Sequence, residues 1–293
     1  MKITVFTPTY NRAYILGKLY HSLVSQAYRN FEWLIIDDGS SDHTEDLVEN
    51  WKKEDRITIR YYKVENGGKH RAINKATDLA KGELFFIVDS YDTLTSNALQ
   101  TIVGWEESIS DKEGFCGVSG NRGKEINNLI GETFDGEFVD ATSLQRNDKN
   151  IKGDKAEVFY TGILRNYKFK EFEGEKFLTE ATVWEKMAHD GYKIRWFNEV
   201  IYLCNYLEDG LTRNQIKIFS SNPKGTAYYI RQQIKFYNYN LKGRLANYNL
   251  YYSYVKDTLG INKAAKLLEI KSLTLLLAVG IFQTKNYIWT RIK

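Results

Sequence analysis

The amino-acid sequence predicts an α/β protein whose amino-terminal part is built around a parallel sheet. Over residues 1–100, short apolar runs alternate with segments whose apolar side chains have helical spacing. Polar clusters follow several of these runs, and the run at 83–88 is almost continuously apolar, which is typical of a strand buried on both faces. Strand–helix–strand units are right-handed, so these strands are expected to lie parallel in one open sheet.

Each predicted element has its own local signal. The strands are β-branched or aromatic runs, the first of which ends at Pro8. The helices carry apolar residues every three or four positions, as at Leu19 and Leu23, and the polar segments 37–42 and 66–68 supply turns. Strands are predicted over residues 2–7, 31–36, 56–64 and 83–88. Helices are predicted between them, over residues 14–25, 44–51 and 71–80.

Beyond residue 100 the signals are mixed. A strand is predicted over 115–119, residues 122–150 are polar and loop-rich, and a helix is predicted over 180–189. From residue 226 the chain is rich in tyrosine and helical in period. It contains an apolar stretch at 273–282, too short to span a bilayer, which takes about 20 residues.

The composition is that of a folded globular protein. Hydrophobic residues make up 43% of the 293 residues and charged residues 27%, which excludes a disordered or collagen-like chain and a small disulfide-rich fold. The two cysteines, Cys116 and Cys204, are far apart and have no histidine or cysteine at metal-ligand spacing. The first eight residues do not have the pattern of a secretory signal. A cytoplasmic location is therefore expected.

The charge is unevenly distributed along the chain. Residues 211–293 contain 14 Lys and Arg against two acids, a net charge of +12, whereas residues 1–210 contain 27 basic and 35 acidic residues, a net charge of −8. This predicts a globular domain over 1–210 and a basic helical extension over 211–293. Such an extension would meet an anionic partner such as a lipid surface, a phosphate or a nucleic acid.

Three polar clusters follow predicted strands, at residues 7–12, 37–42 and 89–92. Open α/β sheets bind ligands outside the carboxyl ends of their strands, so these clusters mark the candidate site. The first βα turn has no glycine, which removes the main support for a nicotinamide dinucleotide site, and residues 67–69 lack the spacing of a Walker loop. A phosphate group would have to be bound in another way.

The acidic residues in these clusters suit a nucleotide diphosphate held through a divalent ion. Asp37 or Asp38 could accept hydrogen bonds from a base or ribose, and Asp89 and Asp92 offer the oxygen ligands that Mg²⁺ or Mn²⁺ prefers. The plainer alternative is that Asp37 and Asp38 cap the next helix and that Asp89 and Asp92 belong to an ordinary turn.

The sequence resembles family 2 glycosyltransferases in four ordered segments: VFTPTYNR at 5–12, IIDDGSSD at 35–42, NGGKHRAIN at 66–74 and VDSYD at 88–92. Weaker likeness continues in GEKFLTE at 174–180 and in DGLT at 209–212. The resemblance implies the GT-A fold, a Rossmann-like nucleotide-binding fold with a mixed central sheet. Residues 1–100 would bind the nucleotide sugar and residues 101–210 the acceptor.

The resemblance also implies roles for individual residues. Asp37 or Asp38 would contact uracil or ribose, Lys69 would lie near the diphosphate, and Asp89 with Asp92 would hold a divalent cation, Mn²⁺ or Mg²⁺. The residues that would line the nucleotide pocket are Thr7, Thr9, Tyr10 and Arg12. Asp89 would in addition contact the nucleotide sugar.

One position departs from the family pattern. Family members usually have an Asp-x-Asp signature after the fourth strand, and Tyr91 stands where the second acid of that signature would be. A phenol keeps its proton to about pH 10 and is a poor metal ligand near neutrality. Either Asp92 takes over the ligation together with Asp89, or the site binds metal weakly and the protein is slow or inactive.

Sugar transfer with inversion needs a carboxylate that removes the proton of the acceptor hydroxyl. In the family this base stands at the start of a helix after the donor-binding half, and Glu180 begins such a helical pattern here. The alternative is that Glu180 is an ordinary acid near a helix amino-terminus, where the macrodipole favours it. Glu175 and Asp154 are reserve candidates.

The sequence therefore predicts an inverting glycosyltransferase that moves a sugar from a nucleotide sugar, a UDP-sugar, to a hydroxyl of a glycan or lipid-linked glycan in polysaccharide biosynthesis. The alternative is a nucleotide-sugar-binding or scaffold protein with weakened catalysis, for which Tyr91 is the reason. The basic extension either completes the domain or meets the anionic inner face of the membrane. A nucleic-acid surface is less favoured because no recognised nucleic-acid-binding module accompanies the charge.

Overall fold

The structure, a computed structural model, describes residues 1–205 and 215–291, with side chains described at 1–205 and 216–282. Strands and helices alternate through the amino-terminal part, as the sequence predicts. The strands are β1 (Ile3–Thr9), β2 (Phe31–Asp37), β3 (Thr58–Lys63), β4 (Leu84–Ile87), β5 (Thr93–Leu94), β6 (Phe115–Glu125), β7 (Asn128–Leu129), β8 (Phe138–Ala141), β9 (Lys155–Tyr160) and β10 (Lys193–Leu203).

Eleven α-helices are described, and a single-turn 3-10 helix covers Ser143–Gln145. The helices are α1 (Leu16–Val24), α2 (Thr44–Glu54), α3 (Lys69–Leu79), α4 (Ala98–Glu107), α5 (Thr161–Leu164), α6 (Ala181–His189), α7 (Gln215–Ser221), α8 (Pro223–Phe236), α9 (Leu241–Val255), α10 (Ile261–Leu267) and α11 (Ser272–Arg291).

The strands form one mixed sheet in the order β3-β2-β1-β4-β9-β6-β10-β5, with β7 paired to β6 and β8 to β10. β1 is parallel to both β2 and β4, and β2 is parallel to β3. β9 runs antiparallel to both of its neighbours, which makes the sheet mixed. The carboxyl ends of β1, β2 and β4 therefore lie side by side, as expected from the alternating pattern.

β1 is longer than the sequence predicts, because it continues through Pro8 to Thr9. Its pairing with β4 ends at Phe6, whereas its pairing with β2 continues to the pair Thr9 and Asp37. The proline is tolerated because the strand has a neighbour on only one side at this point.

The core beside the first strands is aromatic and explains why α1 and α2 pack there. Leu19 and Leu23 of α1 are fully buried, as their spacing predicts. The ring of Tyr20 stacks on that of Trp51 with centroids 4.4 Å apart, and Trp51 lies 5.8 Å from Trp33 of β2. Burial of these large rings fixes both helices on the sheet.

β6 extends well past the predicted strand at 115–119, into the segment predicted to be loop-rich. The sequence signal is weak because this half of the strand is polar and contains Asn121 and Arg122. Arg122 is accommodated inside the sheet because its Nε donates to the carbonyl of Lys155 at 2.7 Å and its guanidinium lies 4.2 Å from the ring of Tyr202.

The described residues divide into two compact units, one of residues 1–169 and 183–205 and the other of residues 170–182 and 215–291. The segment 170–182 is tied to the carboxyl-terminal helices by Glu175, whose carboxylate accepts the backbone N–H groups of Lys224 and Gly225 at the start of α8. The predicted boundary between residues 210 and 211 lies outside the described residues, as does the DGLT segment at 209–212.

The carboxyl-terminal unit is helical, as the tail pattern predicts. Its core contains Ala227, Ile230, Tyr251, Val255 and Leu275, contributed by α8, α9 and α11. Within the ranges that the structure describes, no helix combines the length and the apolar character needed to cross a membrane.

Candidate active site

The three predicted polar clusters meet at one edge of the sheet. The backbone N–H of Asp38, just after β2, donates to the carbonyl of Thr9 at the end of β1 at 2.8 Å. The side chain of Lys69, at the start of α3, reaches Asp89 after β4, with 2.7 Å between Nζ and Oδ1. The strand ends therefore place all three clusters around one region, which is where an open α/β sheet binds its ligand.

The first two loops are joined by an asparagine in an unusual conformation. Asn11 has a φ of 52°, and its Oδ1 accepts the N–H groups of Ser41 at 2.8 Å and Asp42 at 3.4 Å. Asp42 accepts the N–H of Ala13 at 3.0 Å. Burial tends to raise the pKa of Asp42, but hydrogen bonds from Thr44 and Ala13 lower it overall. The loop is thus held before any ligand arrives.

Asp37 is fully buried and both of its carboxylate oxygens accept hydrogen bonds. Oδ1 accepts the N–H of Ser40 at 2.7 Å, and Oδ2 accepts the hydroxyl of Tyr61 at 2.5 Å. Burial and this bond raise the pKa of Tyr61. Asp37 therefore fixes the turn after β2.

Asp38 holds the glycine loop that precedes α3. Its Oδ1 accepts the N–H of Gly67 at 2.7 Å, and its Oδ2 accepts that of Gly68 at 2.9 Å. Asn66 donates to both the carbonyl and the carboxylate of Asp38. Because Lys69 follows directly after Gly68, this carboxylate sets the position from which Lys69 reaches Asp89.

Of the two threonines that the resemblance puts in the nucleotide pocket, Thr7 is engaged in the core. Its hydroxyl accepts a hydrogen bond from the indole of Trp33 at 2.9 Å, and both residues are fully buried. The hydroxyl of Thr9 is also buried, yet it has no hydrogen-bond partner among the described residues. A buried polar atom without a partner is costly, and this one lies at the end of β1, beside the three clusters.

Tyr10 and Arg12 lie at the rim of the site. The side chain of Tyr10 is 49% exposed, so its ring is accessible for stacking with an aromatic group such as a nucleobase. Arg12 donates to the hydroxyl of Tyr14 at 3.0 Å, and its guanidinium lies 6.0 Å from the ring centre of Tyr91. Tyr91 therefore faces the basic rim, at the position where the family pattern has an acid.

Asp89 lies between two cations. Its Oδ1 is 2.7 Å from Lys69 Nζ, and its Oδ2 is 3.7 Å from Arg122 Nη1. Burial tends to raise the pKa of Asp89, but the charges of Lys69 and Arg122 lower it overall, so the carboxylate is ionised at neutral pH. The structure thus places one anion and two cations beside the carboxyl end of β4.

Asp92 is held in a different environment. Its Oδ2 accepts the hydroxyl of Tyr202 at 2.8 Å, and its Oδ1 accepts the N–H of Asn205 at 2.7 Å. The same tyrosine oxygen accepts the N–H of Asp89 at 2.9 Å. Burial and the charge of Asp89 raise the pKa of Asp92 to about 6. Asp92 therefore fixes the turn on which Asp89 stands.

Of the two predicted metal ligands, Asp89 and Asp92, only Asp89 has surroundings that suit a divalent ion. Asp89 is ionised and suits Mn²⁺ or Mg²⁺, whereas both oxygens of Asp92 already accept hydrogen bonds. Burial raises the pKa of the Tyr91 phenol, which keeps it protonated and unsuited to ligation. Among the described residues, no group of three or more His, Cys, Asp or Glu side chains could hold a metal ion.

The sequence analysis missed Arg122, Glu157 and Tyr202, which lie on β6, β9 and β10. The pKa of the partly buried Glu157 is raised by burial, against the lowering effect of Arg146 and Arg122. No motif marks these strands. The sequence around Arg122, from Gly120 to Gly123, is polar and glycine-containing, so it gives no signal that distinguishes a buried charged residue from one in a loop.

The predicted base and its reserves have distinct surroundings. Glu180 directly precedes α6, as expected for a residue at the start of that helix. Glu175 is buried and caps α8 through the N–H groups of Lys224 and Gly225 at 2.7 and 2.8 Å, so its carboxylate is engaged in structure. Asp154 is exposed in the loop before β9.

Comparisons with known proteins point to one family. Residues 4–154 match the family model described as Glycosyl transferase family 2. Over 189 residues the chain is 31% identical to a Campylobacter jejuni protein named GalNAc(5)-diNAcBac-PP-undecaprenol beta-1,3-glucosyltransferase, a match that covers 62% of this chain and 58% of that protein. The match therefore spans less than two thirds of that relative's length.

Solved structures of low sequence identity share the fold. Staphylococcus aureus TarS 1-349 in complex with UDP-GlcNAc has a TM-score of 0.65 at 16% identity, covering 97% of this chain and 92% of that one. The mannosyltransferase PcManGT from Pyrobaculum calidifontis, in complex with GDP-Man and Mn²⁺, has a TM-score of 0.57 at 16% identity, covering 96% and 86%. These neighbours confirm the expected GT-A fold.

Proposed function

Because the chain belongs to glycosyl transferase family 2, we propose that it transfers a sugar from a UDP-sugar to a hydroxyl of a glycan or lipid-linked glycan, in polysaccharide biosynthesis and with inversion. The observation that carries this proposal is the juxtaposition of Thr9, Asp38, Lys69 and Asp89 at one sheet edge. The Campylobacter relative, whose name gives an undecaprenol-linked acceptor, supports the acceptor class.

In the proposed donor site, the nucleoside lies beside the ends of β1 and β2. Thr9 offers a buried hydroxyl without a partner in the described residues, and Tyr10 offers an exposed ring for the base. The fully buried Asp37 shapes this pocket through the turn that it holds, and Asp38 is the carboxylate proposed to accept from uracil or ribose. Arg12 lies at the rim of this pocket.

The diphosphate lies beside Lys69 and Arg122, which supply two positive charges next to Asp89. These cations stabilise the negative charge that grows on the diphosphate as its bond to the sugar breaks. Asp89 would hold a divalent cation, which would add further charge stabilisation to the leaving group. Arg122 keeps its place because Tyr202 and the carbonyl of Lys155 fix its guanidinium.

Glu180 is the proposed general base. Its carboxylate accepts the proton of the acceptor hydroxyl, the acceptor oxygen bonds to the anomeric carbon, and the bond from that carbon to the diphosphate oxygen breaks on the opposite face. Its place directly before α6 puts it at the amino-terminal end of that helix, where the macrodipole is positive.

The proposal is tested by measuring UDP release from a panel of UDP-sugars with undecaprenol-linked and polymeric glycan acceptors. We expect one donor to be consumed and the anomeric configuration of the product, read by NMR, to be inverted. Glu180→Gln should lower turnover by about 10²-fold or more, whereas the nearby exposed Glu173→Gln should not. No release with any donor, together with no UDP binding in the presence of Mn²⁺, would overturn the proposal.

The position of Tyr91 favours a second candidate, a nucleotide-sugar-binding protein with weakened catalysis. Its phenol is protonated and faces Arg12 in place of an acid. In that case the natural chain binds UDP without turnover, and Tyr91→Asp creates Mn²⁺-dependent turnover. Turnover by the natural chain would exclude this candidate.

The proposed location is the cytoplasm, with peripheral contact at the inner face of the membrane. Two observations support it: Cys116 and Cys204 are free thiols, and the Campylobacter relative is named for a lipid-linked acceptor.

A further inference from the structure

One side of α11 exposes a row of large apolar side chains. Leu273, Leu276, Leu277 and Ile281 are 66%, 52%, 56% and 44% exposed. Their spacing of three and four residues puts them on one side of the helix, and we refer to these four residues as the apolar face. Of the twelve large apolar side chains that are exposed among the described residues, four lie together on this one helix, so the patch is contiguous and not a set of scattered residues.

The opposite side of α11 is already packed. Leu275 and Ala278 are fully buried, and Leu275 belongs to the helical core with Tyr251 and Val255 of α9. The rotation of the helix is therefore fixed by its own unit, and the apolar face points outward. A helix that is apolar on both sides needs a partner on both sides.

The helical segment that contains the apolar face is strongly basic. The described side chains from 216 to 282 include ten Lys or Arg residues and only two acids, Asp257 and Glu269, which is a net charge of +8. Glu269 pairs with Arg231. Lys271 directly precedes α11, and Lys263 and Lys266 are exposed on α10, which packs against it.

We propose that the apolar face and the lysines Lys263, Lys266 and Lys271 form a docking surface for an anionic phospholipid bilayer. The leucines and isoleucine would enter the boundary between headgroups and acyl chains, and the lysines would contact the negative headgroups. A second copy of the chain is a poorer occupant, because it would bring the same positive charge against this surface. The inference rests on the proposed peripheral membrane contact and names the surface that makes it, and it does not depend on the proposed catalysis.

The test is sedimentation of the full chain with vesicles of phosphatidylcholine containing phosphatidylglycerol, compared with vesicles of phosphatidylcholine alone. We expect roughly tenfold stronger binding to the anionic vesicles, decreasing with added salt. The double variant Leu276→Asp, Leu277→Asp should lose roughly tenfold or more of that binding. Ile126→Asp, which changes an equally exposed apolar residue on the other unit, should bind like the natural chain.

A second variant checks that a loss of vesicle binding is not caused by misfolding. Lys263→Gln, Lys266→Gln, Lys271→Gln changes only exposed residues and should weaken binding to anionic vesicles, while UDP binding stays unchanged in every variant. Equal binding to both vesicle types, or unchanged binding by the Leu276, Leu277 variant, would overturn the proposal. So would a dimer in light scattering that this variant dissociates, without vesicle binding by the natural chain.

Discussion

Two carboxylates at the same sheet edge illustrate how the environment separates the roles of identical side chains. Asp38 accepts the N–H groups of Gly67 and Gly68 and holds a loop, whereas Asp89 faces Lys69 and Arg122. Asp89 is ionised by these two cations, which together carry one more charge than this carboxylate does. A bound diphosphate would place negative charge beside Lys69 and Arg122, so these two cations should contribute to binding it.

Replacing Lys69 tests that contribution directly. Lys69→Met should weaken UDP binding by about ten- to a hundredfold, since one charge-assisted hydrogen bond contributes roughly 1.5–3 kcal/mol. Uridine binding should change little. Calorimetry with both ligands measures this, and the matched control is Lys63→Met, which removes a lysine from the exposed ion pair with Glu45. An equal loss for uridine would contradict a contact with the diphosphate.

Lys155 should make stability depend on pH. Burial and the charge of Arg146 lower its pKa from 10.5 to about 8. Between about pH 8 and pH 10 the unfolded chain therefore binds more protons than the folded chain, so the free energy of unfolding rises with pH in this window. Compared with Lys155→Met, the natural chain should gain up to about 2 kcal/mol from pH 8 to pH 10.

Chemical denaturation across that pH range measures the effect of Lys155. The control is Lys152→Met, which changes an exposed lysine that lies three residues before Lys155 and pairs with Glu132. Its pH profile should run parallel to that of the natural chain. If the Lys155→Met profile also runs parallel, then the pKa of Lys155 is the same in the folded and unfolded chains, which contradicts the lowered pKa.

At the scale of elements, α8 depends on an anion from another segment. Glu175 accepts two N–H groups of its first turn, from Lys224 and Gly225. Glu175→Ala should lower the free energy of unfolding by about 2 kcal/mol, because it removes a cap and leaves buried donors unsatisfied. Urea denaturation measures the loss, and Glu173→Ala, at an exposed position, should have little effect. Equal stability of the two variants would contradict the capping role.

The turn after β2 depends on a glycine. Gly39 has a φ of 84°, and an added Cβ would lie 3.0 Å from the backbone nitrogen of Asn66. Gly39→Ala should therefore destabilise the fold by about 1–3 kcal/mol. Gly104→Ala, inside α4 with no atom within 4 Å of the added Cβ, should instead stabilise it by about 0.5–1 kcal/mol. Thermal denaturation distinguishes the two, and a shift in the same direction for both would contradict this account.

At the scale of the whole molecule, the sequence predicted the parallel part of the sheet because its signals are local. β2 is buried along its whole length and its neighbours are bounded by turn residues, so pattern alone locates them. The sheet edge with Thr9, Asp38 and Asp89 followed from the same pattern, since ligand sites lie at the carboxyl ends of parallel strands.

The features that the sequence did not predict depend on contacts between distant residues. Arg122 is tolerated in β6 only because Lys155 and Tyr202 surround it. The grouping of 170–182 with the carboxyl-terminal helices depends on Glu175, which lies 50 residues from its partner Gly225. Local propensity carries no information on such pairings.

The central claim is that the edge formed by the ends of β1, β2 and β4 binds the nucleotide diphosphate of a sugar donor. Hydrogen exchange of the full chain, followed by mass spectrometry with and without UDP and Mn²⁺, tests it most directly. We predict slower exchange in the segments 7–12, 37–42, 66–71 and 89–92. Protection confined to other segments, in a chain that calorimetry shows to bind UDP, would contradict the claim.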